Sequence, residues 1–174
     1  MSIYVEIDNR VNEQRLFFLS PAIPGSLIVR KMYISSEIRN MIFGPWDSVE
    51  WSERCGRLRQ DFDHFIEGRK IDVAQSPFKG KTSYLKRLAP QREEAWEIRS
   101  RDPEPGLRIF GRFAEKNVFV ALSWHKRADL LGPNSREWRD AIKQCKTEWR
   151  TLFPAYQPMT GANLHAYVTN IVLV

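Results

Sequence analysis

Three short apolar runs in succession, "AWEIRS", "LRIFGRF" and "NVFVALSW", constrain this chain more than any other feature of it. The first two are joined by "RDPEPG" and the last two by "AEK". Pro and Gly supply turn geometry, and β-branched and aromatic residues fit a pleated surface. The spacing predicts strands over about 94–101, 106–113 and 117–124, the first pair an antiparallel hairpin and all three a meander at the centre of the fold.

Successive side chains on a strand point to opposite faces. Trp96, Ile98 and Ser100 therefore share one face of the first strand, and Glu97, Arg99 and Arg101 the other. On the second, Leu107, Ile109 and Phe113 oppose Arg108, Phe110 and Arg112. The hairpin has one apolar and one cationic face. Between Lys79 and Arg127 stand twelve Lys or Arg and six Asp or Glu, an excess equal to the +6 of the entire chain. Charge concentrated in this way suits a surface that tracks phosphates. The alternative is that the arginines pair with Glu93, Glu94, Glu97 and Glu115 and blunt a sheet edge.

Around this centre, "IYVEI" (3–7), "QRLFFL" (14–19) and "LIVRKMYI" (27–34) read as strands. Asp47 with Glu50 resembles a capping box opening a helix, along which Val49, Cys55, Leu58, Phe62, Phe65 and Ile66 recur at helical spacing up to Gly68. "KIDVA" (70–74) reads as a strand and Thr82–Leu88 as a possible one. Asn134 with Glu137 offers a second capping box, followed by the stripe Trp138, Ala141, Ile142, Cys145 and Trp149, ending before Pro154. The apolar end of "HAYVTNIVLV" is expected to dock as an edge strand against the N-terminal strands. Three segments follow: a β extension over 1–45, an α+β core over 46–154, and a docked tail over 155–174.

Cys55 and Cys145 both fall at apolar helical positions, which points to reduced thiols and a cytoplasmic setting. No run approaches the roughly 20 apolar residues that span a bilayer, so no membrane partner is expected. "GKTS" (80–83) lacks the upstream glycine of a phosphate-binding loop, where Gln75 stands, and Asp61, Asp63 and His64 simply populate a polar helix face. No metal and no cofactor is expected.

The stretch "SWHKRAD" (123–129) ends the third strand. A histidine near neutral pKa beside Lys126 and Arg127 could move a proton while the cations hold a phosphate, or it could cap a surface turn. From Tyr84 to Arg127 the order "YLKRL", "AWEIRS", "DPEPG", "LRIFGRF", "NVFVALSW", "HKR" resembles the RelE/ParE toxin superfamily, especially its phage-type, HigB-like branch. The resemblance implies a small antiparallel sheet between a long preceding helix and a C-terminal helix. It also implies a ribosome-dependent mRNA endoribonuclease whose partners are RNA, the ribosome and a cognate antitoxin. By position it implies catalytic roles for Arg108, Lys126 and Arg127, with His125 as the nearby acid or base, and places Arg99 and Arg101 at basic family positions; with Arg112, Lys79, Lys81, Lys86 and Arg87 of the same basic stretch, these are expected to contact RNA. No tyrosine follows the basic pair, where some RNase members carry one. The alternative is therefore a non-catalytic binder of the same fold: a ParE-like topoisomerase inhibitor or a binding module from a mobile element.

Overall fold

The computed structural model describes residues 2–78 and 80–174. In chain order its main elements are α1 (Ile3–Asn12), β1 (Leu16–Phe18), β2 (Lys31–Ser35), α2 (Ser36–Phe43), α3 (Val49–Ile66), β3 (Ile71–Gln75), β4 (Leu85–Arg87), β5 (Trp96–Ser100), β6 (Leu107–Glu115), β7 (Val118–Lys126), α4 (Arg136–Leu152), α5 (Leu164–Tyr167) and β8 (Ile171–Leu173). The fold is α+β, but the sheet is larger than expected and mixed: eight strands in the order β1-β2-β7-β6-β5-β4-β3-β8. The expected meander β5-β6-β7 is present and antiparallel, whereas β2 pairs with β7, β4 with β3 and β3 with β8 in parallel.

Both faces of the sheet are covered. Ile38, Met41 and Ile42 of α2 and Cys55, Leu58, Phe62, Phe65 and Ile66 of α3 pack on one face against Trp96, Ile98, Ile109 and Phe113. Ile3 and Ile7 of α1 and Trp138, Ala141, Ile142, Cys145 and Trp149 of α4 pack on the other, against Phe110, Val118, Val120 and Leu122. The two cysteines are free and buried, one in each layer. Among the described residues no helix is long and apolar enough to cross a membrane.

Residues 3–7 are a helix, not a strand. Ile3, Ile7 and Val11 recur every four residues and turn toward α4 and the sheet, while Tyr4 and Val5 stay exposed, a 3.6-residue rather than a two-residue period. Arg10 bonds Glu6 one turn back and donates to the Leu152 carbonyl at 2.7 Å, tying α1 to the end of α4. Residues 2–45 thus contribute two helices as well as two strands of the common sheet. Each of the two longer helices is capped one residue beyond the expected position: Ser48 Oγ accepts from the Trp51 amide and Ser135 Oγ from that of Trp138. The tail does form an edge strand, but beside β3, at the opposite end of the sheet from β1.

Arg30 explains that placement. It is fully buried without a carboxylate, and its guanidinium donates to the carbonyls of Phe65 (3.0 Å), Arg69 (2.9 Å) and Thr169 (2.6 Å). A cation set against the last carbonyls of α3 meets the negative end of that helix. It also ties the segment before β2 to the segment before β8. Arg30→Met removes the donor to the Arg69 and Thr169 carbonyls, while that of Phe65 still accepts from the Gly68 amide, and is expected to cost about 3 kcal/mol or more in urea unfolding. Amide exchange should show β8 fraying first, with β5 to β7 still protected.

Candidate functional site

The charged chemistry of the chain is organised by the registers of β4, β5 and β6. Lys86 lies opposite Glu97, which lies opposite Phe110; in the adjacent row Arg99 lies opposite Arg108, which lies opposite His125. Two arginines directly across a ladder repel each other. Glu97, fully buried, relieves this: Oε1 accepts from Arg99 Nε at 2.8 Å and Oε2 lies 3.5 Å from Arg108 Nε. The second pair is close but misaligned, so neither Arg108 Nε nor Glu97 Oε2 makes a hydrogen bond. Arg99 also donates to the Gly80 carbonyl (2.8 Å) and to Ser83 Oγ (2.9 Å), which anchors the 76–83 loop beside the strands.

Over these rows α4 does not cover the sheet, and a cleft of about 510 Å³ opens. Its cations are Lys81, Lys86, Arg99, Arg108 and Arg127, and its apolar walls are Pro77, Leu88, Pro133 and Trp138. Asn134 and Trp138 bring the positive end of α4 to the rim. Arg127 lies over the Trp138 ring, 5.8 Å from its centroid. The cavity is of the size that takes small ligands or one residue of a polymer.

Lys86 is the distinctive member. It is only 8% exposed, yet its ammonium has no hydrogen bond and no ion pair among the described residues. Burial, with Arg99 beside it, holds its pKa below the ordinary lysine value, against the opposing pull of Glu97. Burial likewise lowers Arg108 to about 10. Buried cations that lack full compensation are costly, and an anion supplied from outside removes the cost.

Five of the residues expected to meet phosphate therefore do converge. Others do not. Arg112 is buried beneath α4, donates to the carbonyls of Glu93 and Glu94 and lies over the Trp149 ring, so it is a packing cation. Arg87, one residue from Lys86, points to the opposite face, where it pairs with buried Glu94 at 2.5 Å and lies over Tyr167. Arg101 lies past the end of β5, donates to the Ser83 carbonyl and borders a separate depression with Arg57, Asp61 and His64. Lys126 stands on the α3 side of the sheet, 5.5 Å from the centroid of Trp51 and near Asp47 and Glu50. Lys79 lies outside the described residues.

His125 shares Arg108's face but packs edge-on against Phe110, with Nε2 buried and unpartnered. Burial pulls its pKa below the ordinary histidine value, partly offset by Asp129. A neutral ring with a sealed nitrogen is a poor proton shuttle for the cleft. That the α4 terminus and the apolar walls meet the site went unread in the sequence: Asn134 and Trp138 were legible only as helix start and stripe, and no local pattern sets them beside β4 to β6.

Comparison with family models, with characterised proteins and with solved structures returns no match for this chain.

Removing the carboxylate beneath three cations leaves them uncompensated. Glu97→Gln is expected to destabilise the fold by about 3–5 kcal/mol in urea unfolding. Adding Arg108→Leu, which removes one of those cations, should recover some of the loss; strict additivity of the two changes would contradict this coupling.

Proposed function

We propose that this protein binds RNA by taking backbone phosphates into the cleft lined by Lys81, Lys86, Arg99, Arg108 and Arg127. The observation that carries this reading is Lys86, a residue only 8% exposed whose ammonium opens on the cleft and makes no hydrogen bond or ion pair among the described residues, at a site where cations outnumber carboxylates. A sheet-edge ion-pair network would instead have matched its charges, as Arg87 and Glu94 do. Phosphate oxygens fit arginine and lysine donors, and release of the polymer's counterions drives such association. The exposed Pro77 and Pro133 walls supply apolar surface for a base or sugar.

Ribosome-dependent cleavage, as the RelE/ParE resemblance implies, draws support only from Arg108 and Arg127. Of the other two expected catalytic residues, Lys126 occupies the opposite face and His125 is sealed. Binding without cleavage fits the geometry better.

Fluorescence anisotropy with a labelled single-stranded RNA over a sodium chloride series tests this reading. Three or four phosphate contacts give log K against log salt a slope of about −2 to −3, and Lys81→Ala with Arg127→Ala, both at the mouth, should flatten it by about 1.4. Absence of binding, or a slope indifferent to the double variant, would contradict the proposal. RNA should be recovered intact with and without translating ribosomes, and its shortening would restore the catalytic reading.

A further inference from the structure

The cleft has an inner region and a mouth, and they differ in charge. Lys86, Arg99 and Arg108 form the inner region; Lys86 is 8% exposed, and the side chains of the two arginines 12% each. Among the described residues their only close carboxylate is Glu97, so the inner region carries an excess of two positive charges. Lys81 is exposed and Arg127 half-buried, at the mouth. Among apolar walls an imbalance of whole charges is screened weakly and felt strongly.

An internal phosphodiester, with its single negative charge, would leave the inner region still positive. A phosphomonoester, with a second pKa near 6, carries close to two negative charges at neutral pH and offers three acceptor oxygens. The inner donors suit three oxygens: the Lys86 ammonium, which makes no hydrogen bond among the described residues, and the Arg108 guanidinium, whose Nη1 donates to the Leu107 carbonyl and whose Nη2 makes no hydrogen bond among the described residues. We infer that the inner cleft is a phosphomonoester site, so that the preferred nucleic acid is one presenting a terminal phosphate, with Lys81 and Arg127 meeting the next phosphate along. This rests on the RNA-binding reading for its source, since the same chemistry is offered by a free nucleoside monophosphate.

The test is competition against a labelled RNA by four unlabelled probes. They are a short single-stranded RNA with a 5′-phosphate, the same sequence with a 3′-phosphate, the same with hydroxyls at both ends, and adenosine monophosphate. The expected result is that one phosphorylated end competes about tenfold better than the hydroxyl form, the worth of one added charge-assisted bond. Lys86→Met, which keeps the length of the stem, should weaken both forms but the phosphorylated one more, so that the two compete alike, and Lys86→Arg should restore some of the preference. If adenosine monophosphate competes as well as the phosphorylated RNA while hydroxyl RNA does not bind, the phosphomonoester site stands, its source is a mononucleotide, and the RNA reading falls. Equal, salt-sensitive competition by phosphorylated and hydroxyl RNA would overturn the terminal-phosphate inference and leave RNA binding intact. Failure of every probe would overturn both.

Discussion

One buried carboxylate, Glu97, makes the charged centre of this sheet possible. It stands on β5 between Lys86 of β4 and the facing arginines Arg99 and Arg108, where three cations would otherwise repel each other at low dielectric. Its compensation is incomplete. Arg99 is well bonded, Arg108 is near but misaligned, and Lys86 faces Glu97 across the ladder without a hydrogen bond or ion pair among the described residues. The fold thus holds a deficit of negative charge where β4, β5 and β6 are paired in one sheet. Preorganised donors of this kind do not have to be reoriented when a ligand arrives, which is what gives a fixed site its affinity.

The rest of the basic stretch shows how the same residue type serves a different end. Arg112 is sealed under Trp149, Arg87 lies against Tyr167 with Glu94, and Arg30 caps α3 while holding the tail. Most of their donors are occupied by carbonyls and carboxylates of the chain itself, although Nε of Arg30 and of Arg87 is buried without a partner. The cleft cations are distinguished by opening on a cavity, not by abundance. Local charge excess in the sequence therefore marks the neighbourhood of the cleft but not its members, since Arg87 and Arg112 are engaged within the fold.

The β5-β6-β7 meander and the two long helices were legible because their periods are long and unmixed, and the convergence of Arg99 and Arg108 followed from strand alternation. Three features were not legible, each for a local physical reason. Five residues of "IYVEI" fit a strand, and only Val11, beyond that window, reveals the helical stripe. The parallel pairings β2-β7 and β3-β8 join segments far apart in the chain, which no local pattern encodes. Finally, β7 carries an extra residue at Leu122: Gly111 faces Ala121 but Phe110 faces Ser123. A bulge of one residue exchanges the two faces beyond it. It brings His125 onto the cleft side and sends Lys126 to the other, reversing what simple alternation from Val120 would give. Gly111 permits the distortion, since a Cβ there would sit 2.4 Å from the Val120 carbonyl oxygen.

The central claim is that the inner cleft is short of negative charge, and the titration of Lys86 reads this directly. Followed by NMR of its side chain in the free protein, the ammonium should titrate below the ordinary lysine value of about 10.4, because burial favours the neutral amine. Addition of inorganic phosphate should move the midpoint upward, since a bound anion favours the charged form and binding then takes up a proton. A midpoint at the ordinary value that phosphate leaves unmoved would contradict the account.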